Sequence, residues 1–298
     1  MRIFVEYTLK PMLTRFCYTA MLLIYVFLLC GCRKNNRVVT EEKEDIPINV
    51  FVDTHNEFNN GDMFGLFVVN EPQTLFTSGN RYDNEPLAFY NGKLDSSDLY
   101  YQDPKTKTDF YCYYPYVETI TDIAALPFSV NADQSTSDGY NDSFFLWGKK
   151  TKFKPSKRRV YISMKHLTSS LSIELKPGEG CTDEEISLAQ VSVCGLKTCG
   201  LADLRDGSVD AAGEISEIAA QKFSGGMFSA VVIPQSVNNI ELIRVMIGTA
   251  EYTAVTSIEL LSGQRHTCQM TISKTNGNFN ATIGGWETDF NDYGGMVD

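Results

Sequence analysis

His266-Thr267-Cys268-Gln269-Met270-Thr271-Ile272-Ser273 alternates almost perfectly: Cys268, Met270 and Ile272 fall on one side, and Thr267, Gln269, Thr271 and Ser273 on the other. A period of two is that of a strand with one buried face, whereas a helix would bring every third or fourth side chain together. The same period recurs toward the N-terminus in Leu171, Ile173 and Leu175, in Val160, Ile162 and Met164, and in Ile46, Ile48, Val50 and Val52. Pro47, inside the last of these, suggests an edge position at that end because it donates no ladder bond. Gly65 to Val69 is short and apolar, and Met227 to Ile233 before Pro234 and Ile240 to Ile247 are mostly apolar; all three read as buried strands. Phe110 to Tyr114 is aromatic and stops at Pro115, while Phe279, Ala281 and Ile283 close the series.

Turn signals separate these runs at Asn60-Gly61, Asn91-Gly92, Asp138-Gly139, Asp206-Gly207 and Asn276-Gly277. Helical periodicity is scarce. Thr182 to Gln190 and Gly213 to Lys222 are each predicted to hold a turn or two, and Thr182 with Glu185 has capping-box spacing. Short strands at regular intervals predict a mainly β chain built as a β-sandwich.

The first residues have a different character. Arg2, Lys10 and Arg15 precede an apolar run from Ala20 to Leu29, too short to span a bilayer and of the length of a signal-peptide core. Leu29-Cys30-Gly31-Cys32 resembles a lipobox, in which cleavage precedes Cys32 and the Cys32 thiol takes the lipid. The alternative is an ordinary signal peptide with a chance cysteine; Met12 is a second candidate start. Residues 1–31 are therefore expected to be a lipoprotein signal peptide. Residues 32–45, ending in Glu41-Glu42-Lys43-Glu44-Asp45, read as a polar tether. The whole chain carries a net charge of −11, and losing Arg2, Lys10, Arg15 and Glu6 takes it to about −13. Such acidity argues against a nucleic-acid partner. Against it stands one basic run, Lys149, Lys150, Lys152, Lys154, Lys157, Arg158 and Arg159, either a dock for an acidic partner or lipid headgroups, or a solvated loop.

Chemistry-bearing constellations are sparse. Beyond Cys32, the exported chain has Cys112, Cys181, Cys194, Cys199 and Cys268, an odd number that leaves at least one thiol unpaired. Cys194 and Cys199 are spaced for a turn-spanning disulfide or half a metal site, but further ligands at short spacing are lacking, so no metal is expected. His55, His166 and His266 lie far apart, and no nucleophile-elbow, phosphate-loop or zinc-protease pattern occurs. The sequence therefore predicts no enzyme, no catalytic residue and no cofactor. Tyr100, Tyr101, Tyr140 and Trp147 are either a sugar-binding surface or sandwich residues.

The order of several motifs resembles the fimbrillin superfamily of Bacteroidetes, and the Mfa-like fimbrillin branch in particular. Gly61-Asp62-Met63-Phe64-Gly65-Leu66-Phe67 is similar to its early glycine-bearing strand. Asn80-Arg81-Tyr82 leading to Phe89 resembles the next segment loosely. Phe110-Tyr111-Cys112-Tyr113-Tyr114-Pro115-Tyr116 is similar to the "F-x-A-Y-Y-P-Y" signature, with Cys112 in place of alanine. Leu146-Trp147-Gly148, the strand from Met164 through His166 to Ile173, Ile233-Pro234-Gln235, Leu261-Ser262-Gly263 and Ile283-Gly284-Gly285-Trp286 follow in the family's order.

The resemblance implies two tandem transthyretin-like β-sandwich domains, here 46–162 and 163–298 with a tail. It implies a lipid-anchored subunit of a type V pilus on the cell outer membrane or surface, joined to other fimbrial subunits by protease-triggered strand exchange and supporting adhesion to a host or bacterial surface ligand. Arg37, with Arg33 second, is the implied cleavage residue; Val38 to Val52 would contain the N-terminal strand, and Glu287 to Asp298 would be a donor or contact segment. The thin apolar content after Trp286 favours a tip, anchor or accessory subunit over a stalk subunit. A surface lipoprotein that binds glycan or protein without polymerising is the alternative.

Overall fold

The computed structural model describes residues 45–53, 58–275 and 278–289. The leader, Cys32, Arg33, Arg37, most of the tether, His55, the Asn276-Gly277 turn and the tail from 290 lie outside the described residues.

The chain is mainly β. Its strands are β1 (Asn49–Asp53), β2 (Met63–Asn70), β3 (Tyr82–Tyr90), β4 (Lys93–Leu94), β5 (Thr108–Tyr114), β6 (Leu126–Ser129), β7 (Leu146–Phe153), β8 (Arg159–Ser163), β9 (Lys165–His166), β10 (Ser169–Pro177), β11 (Gln190–Asp203), β12 (Ser208–Ala219), β13 (Gln221–Lys222), β14 (Met227–Val232), β15 (Gln235–Ile247), β16 (Ala250–Leu260), β17 (Arg265–Thr275), β18 (Asn278–Ile283) and β19 (Glu287–Asp289). The other regular elements among the described residues are two five-residue helices, α1 (Ser137–Asn141) and α2 (Asp183–Ser187), and a 3-10 turn at Ser224–Gly226. One sheet has the order β8-β1-β4-β3-β2-β5-β7-β9. A second runs β13-β14-β10-β17-β18, with β19 also on β17; the third runs β12-β11-β15-β16, with β6 also on β11.

The alternating stretch at 266–273 lies in β17, in the middle of the second sheet. It runs parallel to β10 from Ser170↔Arg265 to Pro177↔Ile272. Cys268, Met270 and Ile272 are buried, and Leu171, Ile173 and Leu175 of β10 join them in the main core. A second, smaller core gathers Tyr113 and Trp147 from the first sheet and Phe145 just before β7 with Ala202 and Leu204 from β11 and the turn after it.

α2 forms with the capping box expected from Thr182 and Glu185: the Glu185 N–H donates to Thr182 Oγ1 and the Thr182 N–H to Glu185 Oε2. Gly213 to Lys222 corrects the other helical expectation. Those residues lie in β12 and β13, with Ile218 buried and paired to Val193 of β11. A short segment of weak helical preference gains more from a neighbouring ladder than from one isolated turn. Asp138-Gly139, read as a turn, sits inside α1, whose Thr136 cap accepts from the Gly139 N–H.

Two family-like motifs have a common physical cause. Gly65 on β2 stands opposite Tyr113 on β5, and the Tyr113 ring lies over it. A Cβ at 65 would fall 2.0 Å from Tyr113 Cε1. The ring is held there because its hydroxyl donates to Asn84 Oδ1 at 2.6 Å and accepts from the Val117 N–H at 3.2 Å. Gly148 on β7 meets backbone instead: a Cβ there would lie 2.3 Å from the Ser163 carbonyl oxygen of β8. That close approach sets β7, next to one end of the first sheet's strand order, against β8 at the other end.

Gln134 performs a less visible task. It is fully buried, its Nε2 donates to the Val231 carbonyl, and its Oε1 accepts from the Val231 N–H, both at 2.8 Å. The side-chain amide thus acts as one more ladder residue on β14, beyond the reach of β13. Gln134→Ala leaves both Val231 groups buried without partners and is expected to lower stability by about 2–4 kcal/mol. Urea denaturation of Gln134→Ala beside Gln73→Ala, an exposed control, reads this; equal midpoints would show that water replaces the amide.

Candidate functional site

β1 is an inserted strand. It runs parallel to β8 over five pairs, from Asn49↔Arg159 to Asp53↔Ser163, and antiparallel to β4 at Phe51↔Lys93. No hairpin connects it to either neighbour. Ile48, Val50 and Val52 point into the main core, with Leu94, Leu99, Val160 and Ile162 in the same cluster. Burying each such side chain contributes about 1.5–3 kcal/mol.

Polar groups seat the backbone. The Ile48 N–H donates to the Leu99 carbonyl at 2.8 Å, and the Tyr101 N–H to the Ile46 carbonyl at 3.0 Å. Ser96 closes the interval: its Oγ donates to the Ile48 carbonyl at 2.7 Å and accepts from the Val50 N–H at 3.3 Å. β1 therefore has partners on both sides from Asn49 onward, and its pairing with β8 does not extend back to Pro47, at the end where the sequence suggests an edge. Pro47 precedes the ladder in an isolated bridge to Tyr100, so its missing N–H interrupts no ladder bond.

On the outer face, Phe51 lies 5.5 Å from the Tyr161 ring, and the Arg159 guanidinium lies 4.6 Å from the centroid of Phe51. Arg159 Nη1 also donates to the Tyr161 hydroxyl at 3.1 Å. Arg159 ends the basic run noticed in the sequence. Lys149, Lys150 and Lys152 are on β7, and Lys154, Lys157 and Arg158 are in the connection to β8; all seven side chains are exposed. The structure thus brings Arg159, the end of the basic run, beside β1, an adjacency absent from the sequence, whereas Lys149 Nζ donates to the Arg205 carbonyl at 3.4 Å. Ser96 and Leu99 had no sequence signal beyond a short polar turn.

Arg33 and Arg37 lie upstream of β1, and no arginine or lysine occurs between Lys43 and Arg81. A cut at either candidate residue therefore leaves β1 joined to β2.

The aromatic residues weighed as a sugar-binding surface are mostly core. Tyr101, Tyr140 and Trp147 are buried, Tyr100 partly so. The Trp147 indole N–H donates to the Leu204 carbonyl at 2.9 Å, and Lys149 and Lys165 stand near its ring. A ring enclosed in this way offers no face to a sugar. His166 is buried beside Phe144, and His266 Nδ1 lies 3.0 Å from Thr288 Oγ1. All five cysteines of the described residues are free, so Cys194 and Cys199, both on β11, do not form the disulfide considered above. Burial pushes the Cys194 thiol up to about 11 and the Cys268 thiol to about 12, which keeps them protonated and unreactive. Among the described residues no group of three or more His, Cys, Asp or Glu is arranged to hold a metal ion.

A family model described as fimbrillin-like matches residues 52–286, most of the chain. This chain belongs to the fimbrillin-like family. Solved structures share the fold. A candidate cell adhesion protein from Bacteroides uniformis superposes with a TM-score of 0.64 at 16% identity, covering 83% of this chain and 99% of that one. A second, from Bacteroides ovatus, gives 0.65 at 16% identity over 81% of this chain and 96% of its own. A fimbrial protein from Bacteroides ovatus gives 0.50 at 14% identity, over 85% of this chain and 51% of that one. No curated protein matches at the level of sequence. The matched region begins inside β1 and ends at Trp286, so this fimbrillin-like chain has its inserted strand at the start of the family region. The family match makes this a fimbrillin-like chain, and the solved structures show that it shares their fold.

Proposed function

We propose that this chain is a lipid-anchored structural or accessory subunit of a type V pilus, held on the outer membrane through Cys32 and joined to other subunits by strand exchange at the slot of β1. The slot is the observation that carries this reading. A strand seated between β8 and β4 without a hairpin to either can leave as a unit, and an incoming strand of similar pattern would satisfy the same groups: three apolar sites, the Leu99 carbonyl and Ser96. Cleavage at Arg37 or Arg33 would cut the chain from its membrane tether and leave β1 with a free upstream end. β1 would then be exchangeable rather than removed, which suits an accessory or anchor position. The division into two sandwich domains, 46–162 and 163–298, belongs to the same proposal; the second and third sheets draw all their strands from the later part except β6.

The test pairs an assembly assay with a lock. Phe51→Cys with Tyr161→Cys places two thiols at partnered positions on the outer face of β1 and β8. The oxidised lock should keep the subunit out of sheared surface fibres, and a reductant should restore it. Mass spectrometry of fibre material should find chains that begin after Arg33 or Arg37. A locked subunit that enters fibres normally would end the β1-exchange reading. An intact lipidated N-terminus found in membranes alone would favour a binding lipoprotein that does not polymerise.

A further inference from the structure

We infer that the cavity lined by Phe76, Asp122 and Arg205 is a binding subsite for one neutral hexopyranose unit of a glycan. Its volume is about 480 Å3, within the range of small-ligand sites. Leu75, Tyr111 and Ile123 also line it, and all three belong to the second core, so its floor is a fixed, packed surface. The three named residues come from separate connections: Phe76 between β2 and β3, Asp122 between β5 and β6, and Arg205 between β11 and β12. None belongs to β1, β4 or β8, so the inference stands apart from strand exchange.

Each part is held in place. Phe76 is 55% exposed, yet one side-chain amide clamps its backbone on both sides. The Phe76 N–H donates to Asn80 Oδ1 at 3.1 Å, and Asn80 Nδ2 donates to the Phe76 carbonyl at 2.7 Å. Asp83 anchors the clamp in turn, accepting from the Gly79 and Asn80 N–H groups at 2.8 and 3.0 Å. A ring already fixed at a cavity mouth loses little freedom when a flat apolar face settles on it. Asp122 is set by the Ala124 N–H, which donates to its Oδ1 at 2.8 Å. Arg205 is set by Asp203, whose carboxylate accepts from Nε at 2.9 Å and from Nη2. A guanidinium has five N–H donors and a carboxylate about four acceptor sites, so both groups keep capacity for a ligand. Donor and acceptor beside an exposed ring match a pyranose, which has an apolar C–H face and hydroxyls that donate and accept around it. Asp203 first, then Asp206 and Asp122, hold the Arg205 guanidinium above its ordinary range. Three carboxylates around one guanidinium disfavour an anionic sugar, and a cationic side chain would meet the guanidinium itself, so the wall selects a neutral polar ligand.

Saturation-transfer NMR on the full exported chain reads this directly, with the methyl glycosides of glucose, galactose, mannose, fucose and N-acetylglucosamine as probes. At least one should receive saturation on its ring protons. Phe76→Ala should weaken that binding about tenfold or more with an unchanged melting temperature, because the ring is exposed, and Phe76→Trp should restore it. Asp122→Asn, which keeps an acceptor for the Ala124 N–H, should weaken it about fivefold. Methyl glucuronide and acetyl-arginine amide are the charged counterparts and should bind more weakly than the best neutral glycoside. A panel without a Phe76-dependent signal overturns the inference, as does stronger binding of either charged probe. Self-association that depends on Phe76, read by sedimentation, without sugar binding would overturn it in favour of a protein contact. A β1 lock that fails to block fibre entry, together with Phe76-dependent sugar binding, would remove strand exchange and leave this subsite standing.

Discussion

Replacing Val50 with aspartate is expected to cost about 3–5 kcal/mol of folding stability, most of what a domain of this kind has to lose. Val50 is fully buried and paired with Val160 across the parallel ladder. Its side chain belongs to a cluster of apolar residues that includes Leu94 and Ile162. The nearest cation on the neighbouring strand, Arg159, is committed to the opposite face, over Phe51. A carboxylate at 50 would therefore be buried without a partner, or would drive β1 out of its slot. Phe51→Ser is the control: it removes ring contacts on the outer face and should cost about 1 kcal/mol or less. Urea midpoints separate the two. A loss for Val50→Asp no larger than the control would show that β1 lies outside the cooperative unit. In the expected case, hydrogen exchange at β8 and at Leu94 to Tyr101 should rise selectively, because those segments lose the strand that covers them.

The second large effect concerns the glycine beneath the tyrosine. Gly65→Ala should cost about 2–3 kcal/mol, since the new methyl meets a ring carbon at a separation that atoms do not tolerate. The ring has little room to retreat, because its hydroxyl is bound to Asn84 and the Val117 backbone. Tyr113→Ala is itself destabilising through the cavity it leaves. In that background, however, Gly65→Ala fills space instead of colliding, and its cost should fall below about 0.5 kcal/mol. A coupling of about 2 kcal/mol in the four-member cycle is the expected reading. Additive costs would show that Gly65 is needed for backbone reasons unrelated to Tyr113.

The two residues lie far apart in the sequence, in separate motifs that resemble the fimbrillin pattern. Neither motif alone says why it contains glycine or tyrosine. The pairing of β2 with β5 puts them opposite each other, and the rest is steric. The four candidate sugar-binding aromatics, Trp147 among them, teach the converse lesson. An aromatic residue in a strand has no address in one dimension, because packing layers above and below decide whether its face is covered. For Trp147 the cover comes from Leu204 on the turn after β11, almost sixty residues away.

Read alone, the sequence determined what depends on near neighbours. Alternation at 46–52, 160–164, 171–175 and 266–273 marked strands because side-chain direction reverses at every residue. Thr182 and Glu185 marked a helix start because a capping box closes within four residues. The motif order marked the fimbrillin-like family, and the charge pattern marked a basic run in an acidic chain. Only the tertiary structure decided that β1 is a covered strand held by Ser96 and Leu99, that it lies parallel to β8, and that Arg159, at the end of the basic run, stands beside it. Gly213 to Lys222 became a strand, and the Cys194 and Cys199 thiols stayed free, for the same reason. Each outcome depends on partners brought together from distant parts of the chain, and their hydrogen bonds and buried area outweigh the small local preferences that a sequence displays.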